Sequence, residues 1–137
     1  RRHIISSWNP PELKNMSLPP CHVFSQFFIS NNKLSCQLYQ RSCDMFLGVP
    51  FNIASYSLLT HMLARECKLE VGSFIHSLGD FHIYEEHFEQ VKIQLERSPK
   101  TLPRLNFETK NFFDYKVSDF ELSDYEHHPR IEALMNV

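Results

Sequence analysis

The sequence lacks any stretch close to the ~20 consecutive apolar residues that a membrane-spanning helix requires. It also lacks an internal repeat and contains only 3 glycines. Neither sign of charge dominates, because 14 Lys and Arg stand against 16 Asp and Glu. This balance argues against a basic nucleic-acid-binding surface, so any site for a polyanion must be a local cluster of Arg or Lys. Hydrophobic content of 42% likewise argues against a disordered chain.

Pairs of cysteines spaced C-x-x-C are also missing, which argues against a structural zinc site. The chain of 137 residues is neither short nor loop-rich enough to need a disulfide framework. We therefore expect free thiols in a reducing compartment, the cytoplasm. No signal peptide is visible, and the start at Arg1-Arg2 without Met predicts a piece of a longer chain. The cysteines are Cys21, Cys36, Cys43 and Cys67.

A β-hairpin is the clearest local structure that the sequence predicts. Residues 21–29 are rich in β-branched and aromatic side chains, which is typical of a strand. Asn31-Asn32 predicts a turn, since Asn tolerates positive φ, and residues 34–40 form the returning strand.

The register of this hairpin decides which side chains meet at its open end. A two-residue turn places Cys21 opposite Ser42 and His22 opposite Arg41. A β-bulge would shift this pairing by one residue and exchange the faces. In either case a thiol, a hydroxyl and a guanidinium converge at one end of the hairpin.

The rest of the chain predicts an α+β fold, a mixed sheet with packed helices. A strand is expected over residues 74–84, interrupted at Gly79-Asp80, and two more near residues 104–109 and 118–122. Two helices are expected, one from Pro50 to about Cys67 and one over residues 85–97. The inward positions predicted for these helices are Ile53, Tyr56, Leu59, Leu63 and Cys67 in the first, and Phe88, Val91 and Leu95 in the second.

Cys21 is the candidate nucleophile. A thiol becomes a reactive thiolate at neutral pH when a cation lies nearby, and Arg41 across the hairpin would supply that charge. The alternative is a buried structural cysteine. Arg41 and Ser42 together would hold a phosphate through a planar fork and a hydroxyl, although an ion pair between Arg41 and Asp44 is the simpler interpretation.

Asn52 and two strand residues are the candidate ligands for the rest of a nucleotide. A carboxamide offers a donor and an acceptor that match the O4 and N3–H edge of uracil, whereas Asn52 is otherwise a preferred helix cap. His82 and Tyr84 share one face of a strand and would bind a sugar hydroxyl, or form a satisfied polar pair. No histidine spacing matches a firm metal-ligand motif, and Arg1-Arg2 is by itself an ordinary solvated pair.

Taken in order, these motifs resemble thymidylate synthase along the whole chain. A motif set this long is far more specific than any one short pattern. The matching stretches are Arg1-Arg2, Ser7-Trp8-Asn9-Pro10, residues 18–22, residues 34–44, residues 47–56 and residues 79–84.

The resemblance implies a role for each candidate residue. Cys21 adds to C6 of deoxyuridylate (dUMP), and 5,10-methylenetetrahydrofolate then supplies the methyl group of thymidylate, with no metal. The resemblance also implies an obligate homodimer in which each subunit donates Arg1 and Arg2 to the partner's phosphate site. It further implies that residues 1–137 are the C-terminal portion of one catalytic domain, which we expect to be inactive without the N-terminal half. The implied nucleotide ligands are Arg1, Arg2, Gln40, Arg41, Ser42, Asp44, Asn52, His82 and Tyr84, and the implied folate ligands are Asp44, Leu47, Gly48 and Val137.

Phe81 and Glu86 depart from the family pattern, which predicts altered hydrogen bonds around the site. Asn136 also departs from it, in the tail whose closure over the folate the resemblance implies. A related deoxycytidylate hydroxymethylase would require Asp at position 52, so Asn52 argues against it. A nonenzymatic nucleotide- or RNA-binding module would not need the thiol of Cys21. Fusion to dihydrofolate reductase is an open alternative, faintly suggested by residues 125–129.

Overall fold

The computed structural model describes residues 1–135 and divides the chain into two compact units, Arg1–Ile83 and Tyr84–Val137. It contains a mixed sheet and helices, so the predicted α+β class is confirmed. In the described part of the chain, no helix is long and apolar enough to cross a membrane.

The first unit is a four-stranded sheet covered on one face by a helix. The strand order is β1-β2-β3-β4, with antiparallel pairing from β1 to β3 and parallel pairing between β3 and β4. Parallel neighbours need a long crossover, which helix α1 provides. The elements are β1 (His3–Ser6), β2 (His22–Ser30), β3 (Lys33–Asp44), α1 (Gly48–Glu66) and β4 (Glu70–His82), with a 3₁₀ segment at Pro10–Asn15.

The hairpin forms as the sequence predicts. Asn31 and Asn32 have φ of 49° and 60°, and Ser30 pairs with Lys33 across this two-residue turn. β3 then continues to Asp44, beyond the expected end at Gln40. The predicted interruption at Gly79-Asp80 is wrong, because β4 pairs continuously with β3 through both residues.

The core lies between α1 and one face of the sheet. Alternate residues of β3 point into it, and Leu34, Cys36 and Leu38 are at most 4% exposed. The predicted inward positions Tyr56, Leu59 and Leu63 pack against this core. Ile53 and Cys67 do not, since both are exposed. The buried α1 positions are instead Val49, Thr60 and Ala64.

The second face of the sheet carries a mixture of polar and large apolar side chains. Phe28, Tyr39 and Ile75 on this face are 58%, 46% and 51% exposed. A groove of about 350 Å³ runs over it, lined by Gln26, Phe28, Ser35, Cys36, Gln37, Ser73 and Ile75. We call this surface the open face.

The second unit consists of short elements. Helix α2 (Phe88–Leu95) follows a 3₁₀ turn at Glu85–His87 and has no buried residue. The inward positions predicted at Phe88 and Leu95 are therefore wrong, and Val91 is half-buried. β5 (Arg104–Asn106) and β6 (Glu121–Ser123) pair antiparallel and are shorter than predicted, with 3₁₀ turns at Phe112–Asp114 and Val117–Asp119 between them.

Candidate active site

Most predicted site residues of the first unit gather at one end of its sheet. β3 and β4 end there with Asp44 paired to His82. β2 starts there, directly after Cys21, because it runs antiparallel to β3. α1 also starts there, so that Leu47, Gly48 and Asn52 belong to its cap and first turns.

A β-bulge sets which side chains meet at this end. Phe24 pairs with Tyr39 in the register of the turn, but His22 pairs with Gln40 instead of Arg41. β2 therefore contains one extra residue, Val23, and the faces are exchanged as expected for a bulge. The in-register alternative, with His22 opposite Arg41, is wrong.

Arg41 lies beside the candidate nucleophile. Its backbone N–H donates to the Cys21 carbonyl at 2.8 Å. Its guanidinium donates from Nε to the Pro20 carbonyl at 3.0 Å and from Nη2 to the Pro19 carbonyl at 2.8 Å. Trp8 lies against the same guanidinium, 5.6 Å from ring centroid to Cζ. Arg41 thus holds the two residues before Cys21, and its Nη1 group carries further N–H donors.

The other cysteines are poor candidates for the nucleophile. Cys36 and Cys43 are fully buried, and Cys67 is exposed just after α1. Burial raises the pKa of Cys36, against a lowering hydrogen bond with Thr60. Burial also raises the pKa of Cys43, in spite of a hydrogen bond with the Gly79 backbone. Both groups therefore stay protonated thiols at neutral pH. Cys21 is half-buried, and its backbone carbonyl accepts a hydrogen bond from the Arg41 backbone.

Asp44 shapes the turn from β3 into α1. Its Oδ1 accepts hydrogen bonds from the backbone N–H groups of Phe46 at 3.0 Å and Leu47 at 3.2 Å. The alternative ion pair with Arg41 is not formed: the guanidinium donates to the two proline carbonyls, and the Asp44 carboxylate accepts from the backbone of its own turn. Gly48 lies close by, where an added Cβ would be 3.4 Å from the Asp44 Cβ.

Asn52 lies inside α1 and does not cap it, because the helix begins at Gly48 with Leu47 as its N-cap. Its Oδ1 accepts a hydrogen bond from Gln40 Nε2 at 3.0 Å. Gln40 is 2% exposed, so this contact is protected from water. Two of the predicted nucleotide ligands are therefore joined directly.

His82 ends β4, and its Nδ1 lies 3.6 Å from Asp80 Oδ1. Gly79 permits β4 to approach β3 closely, because a Cβ there would lie 2.9 Å from the Arg41 carbonyl oxygen. Phe81, one of the departures from the family pattern, is 66% exposed. The shared strand face predicted for His82 and Tyr84 is wrong, since β4 ends at His82 and Tyr84 belongs to the second unit.

In the second unit, Tyr84 lies edge-on to the ring of His87, with centroids 5.7 Å apart. His87 is fully buried, and its Nε2 contacts the Leu134 carbonyl at 2.7 Å. Gln90 donates to the Glu132 carbonyl at 3.4 Å. These contacts fix the chain up to Leu134. Val137 and Asn136 lie outside the described residues.

Arg1 and Arg2 are exposed and precede β1, the edge strand of the sheet. The Arg1 carbonyl accepts a hydrogen bond from Gln26 Nε2 at 3.2 Å. Gln26 lines the groove of the open face, so the arginine pair begins at the border of that surface.

Three contacts of the site were missed by sequence reasoning. The Tyr56 hydroxyl is 2.9 Å from His22 Nδ1, Trp8 packs on Arg41, and His76 Nε2 is 2.9 Å from Gln40 Oε1. Trp8 is the single Trp of the chain, and this rarity was the one available signal. Within residues 1–135, no group of three or more His, Cys, Asp or Glu side chains is arranged to hold a metal ion.

Comparison with known proteins gives the family. The family model described as thymidylate synthase matches residues 1–137. A thymidylate synthase from Mycoplasma pneumoniae is 58% identical over 138 residues, a match that covers 100% of this chain and 48% of the relative. The chain thus spans about half the length of that curated relative. On this match over its whole length, the chain belongs to the thymidylate synthase family.

Proposed function

We propose that this chain forms part of an enzyme that methylates dUMP to thymidylate, with 5,10-methylenetetrahydrofolate as co-substrate and dihydrofolate as product. Family membership and the 58% identity to the Mycoplasma pneumoniae thymidylate synthase support the reaction. The observation that supports the assignment to Cys21 is its partial exposure at the end of the sheet where the other site residues gather, since Cys36 and Cys43 are buried and protonated.

The proposed chemistry begins with Cys21. Its thiolate attacks C6 of the uracil ring, and the electron pair of the C5–C6 bond moves toward O4. C5 of the resulting enolate forms a bond to the methylene carbon of the folate while one of the two methylene C–N bonds breaks, and the released nitrogen keeps the electron pair and takes up a proton. Loss of the C5 proton expels the folate amine, and a hydride from the reduced folate ring then completes the methyl group and releases Cys21. Arg41 holds the segment that carries this thiol, through its backbone N–H to Cys21 and its guanidinium to the two preceding carbonyls.

The phosphate of dUMP would be bound by Arg41 and Ser42. In our proposal Arg1 and Arg2 of a second subunit complete this site, so that several cations offset the net charge of −2. The open face supports a homodimer, because its exposed aromatic and aliphatic side chains need a cover and the arginine pair starts at its border.

The remaining roles follow the resemblance to the thymidylate synthase family. Asn52, held by Gln40, would read the uracil edge, and His82 and Tyr84 would bind the deoxyribose hydroxyl. Asp44, Leu47 and Gly48 would form part of the folate pocket, with Val137 closing over the folate. We further propose that residues 1–137 are the C-terminal portion of one catalytic domain and that the protein is cytoplasmic, in keeping with its free cysteines.

Trapping of the covalent intermediate tests this proposal. The complete polypeptide is incubated with 5-fluorodeoxyuridylate and methylenetetrahydrofolate, then analysed by denaturing mass spectrometry. Because fluorine at C5 cannot leave as a proton, both ligands should stay attached, and peptide mapping should locate them on Cys21. An adduct on another residue contradicts the assignment of the nucleophile. Nucleotide binding without any adduct would favour a nonenzymatic module instead.

The same experiment on residues 1–137 alone tests the domain assignment. We expect no turnover from this chain by itself, because the proposed catalytic domain is about twice as long. Turnover by the isolated chain would contradict the view that it is one portion of a domain.

A further inference from the structure

A series of side-chain hydrogen bonds connects His76 on β4 to Asn52 on α1. Gln40 stands between them, with its side chain in the core-facing layer of β3 and only 2% exposed. Its Nε2 is 2.9 Å from the Ser42 carbonyl oxygen and 3.0 Å from Asn52 Oδ1. Its Oε1 is 2.9 Å from His76 Nε2.

Hydrogen-bond chemistry allows one orientation for this chain. The Ser42 carbonyl can only accept, so the Gln40 atom that faces it must be the amide nitrogen. Gln40 Oε1 then faces His76 and must receive a proton from Nε2 of that ring. Burial lowers the pKa of His76, so the ring is neutral at pH 7 with a single N–H. The contact with Gln40 assigns that N–H to Nε2.

The same logic fixes the carboxamide of Asn52. The Gln40 amide donates to it, so the Asn52 atom on this side is the oxygen and its NH₂ group points away from Gln40. A carboxamide oxygen has two lone pairs, so Oδ1 can accept one further hydrogen bond. In this orientation the Asn52 NH₂ group would donate to O4 of uracil while Oδ1 accepts from N3–H. The amino group and N3 of cytosine have the reverse polarity, so cytosine would require the carboxamide to be turned over.

We propose that His76 is the positioning residue that sets pyrimidine selectivity, by fixing the Gln40 amide and through it the orientation of Asn52. This inference rests on the proposed function, because it takes Asn52 as the group that reads the base. Without the His76 N–H, Gln40 Oε1 loses its donor in a buried position. The Gln40 side chain is then held only through its nitrogen and shifts toward another donor for Oε1, which weakens its hydrogen bond to Asn52. The Asn52 carboxamide is then free to turn and present its oxygen to cytosine.

Substitutions at His76 and at the neighbouring Ser77 test this role in the complete polypeptide. His76→Phe keeps an aromatic ring but removes the donor, whereas His76→Gln keeps an N–H at a similar reach. Ser77→Ala is the matched control, because Ser77 accepts a hydrogen bond from Gln37 at 3.3 Å, also between β3 and β4 but on the open face. The measurement is kcat/KM for dUMP and for dCMP, with the KM for methylenetetrahydrofolate as a readout of general damage.

We expect His76→Phe to lower the dUMP-to-dCMP ratio of kcat/KM by about 10- to 100-fold, the scale set by one misoriented buried polar group. His76→Gln should restore most of the ratio, and the ratio in Ser77→Ala and the folate KM in all three variants should be unchanged. An unchanged ratio in His76→Phe overturns the inference while leaving the proposed function intact. Absence of dUMP turnover in the unmodified protein overturns both.

A measurement on the unmodified protein covers the case in which His76→Phe does not fold. ¹⁵N NMR of the histidine rings distinguishes the two neutral tautomers. We expect the proton of His76 on Nε2, with a hydrogen bond to a side-chain oxygen. A proton on Nδ1 would overturn the inference, because Gln40 would then lack its donor.

Discussion

The two units of the chain are stabilised in different ways. In the first, α1 covers one sheet face, and the core side chains Phe27, Leu34 and Leu38 are at most 5% exposed. In the second, Phe107, at 8%, is the one buried hydrophobic side chain among the described residues. Leu102, in contrast, is 85% exposed. Strands long enough to alternate bury one face, whereas three-residue strands do not.

The second unit replaces burial by local contacts. The rings of Phe107, Tyr115 and Phe120 lie 5.2 to 5.7 Å apart, centroid to centroid. The Tyr115 hydroxyl joins the Lys110 N–H to the Glu108 carbonyl. A few aromatic pairs and side-chain caps thus stabilise this unit, whereas the helix–sheet interface stabilises the first. Each unit should therefore respond to a different kind of substitution.

Removal of the Cys21 thiol should have the largest effect. In the complete polypeptide, Cys21→Ser should lower kcat by at least about four orders of magnitude, since a lost nucleophile is not replaced by its neighbours. Cys67→Ser, at the exposed end of α1, is the matched control and should keep full activity. Steady-state kinetics of both variants measure this effect. An inactive Cys67→Ser together with an active Cys21→Ser would contradict the assignment of the nucleophile.

A cavity in the first unit should have the next largest effect. Leu38→Ala removes a side chain that is 0% exposed and should cost about 2–5 kcal/mol in free energy of unfolding. Leu102→Ala, from the second unit, should change it by less than about 0.5 kcal/mol, because Leu102 is already in solvent. Urea unfolding of the two variants measures both. Equal losses of unfolding free energy would show that the two units do not differ in how much side-chain burial stabilises them.

The aromatic cluster gives a smaller and more local effect. Phe107→Leu keeps an apolar side chain but removes the ring pairs with Tyr115 and Phe120, at about 0.5–1.5 kcal/mol each. Hydrogen exchange should show faster exchange in β5 and β6 and unchanged exchange in β2 and β3. Loss of protection in all four strands would mean that the units open together.

The smallest effect should come from acid titration of the cap at Val117–Asp119. The Lys110 ammonium and the Lys116 backbone N–H, at 2.8 Å, hold the pKa of Asp119 below its usual value. This contribution is present at neutral pH and is lost as the pH falls below about 4 and through the folded pKa. Asp119 raises the pKa of Lys110, so that contribution is lost only above about pH 10. Amide chemical shifts near Asp119 should follow the acid transition, Asp119→Asn should abolish it, and Asp114→Asn should retain it.

The sequence predicted the first unit better than the second, for a physical reason. Leu34, Cys36 and Leu38 alternate with polar residues over a strand long enough to make the pattern unmistakable. Ile53 and Cys67 were assigned inward by spacing alone, but spacing does not say how far a sheet extends beneath a helix. In the second unit, Phe88 and Leu95 have helical spacing on a helix of 8 residues with no buried position.

The sequence suggests candidate members of the site but not the contacts between them. Cys21, Arg41 and Asn52 carry recognisable chemistry, and the resemblance assigned their roles. The contact of His76 with Gln40 joins residues 36 positions apart on parallel strands, and no periodicity predicts such a contact. The proline carbonyls that hold Arg41 are backbone groups, which sequence motifs do not display.

The extra residue at Val23 decides which face of the sheet the residues before it occupy. Successive side chains of a strand point to opposite faces, and Val23 adds one residue between the core positions of β2 and Cys21. His22 thereby turns toward Tyr56 on α1. If the same residues paired without the bulge, His22 would lie opposite Arg41, so that every chemical group of the site would be kept and His22 would still point to the other face. The number of residues between the core positions of β2 and Cys21 therefore matters as much for the site as the identity of those residues.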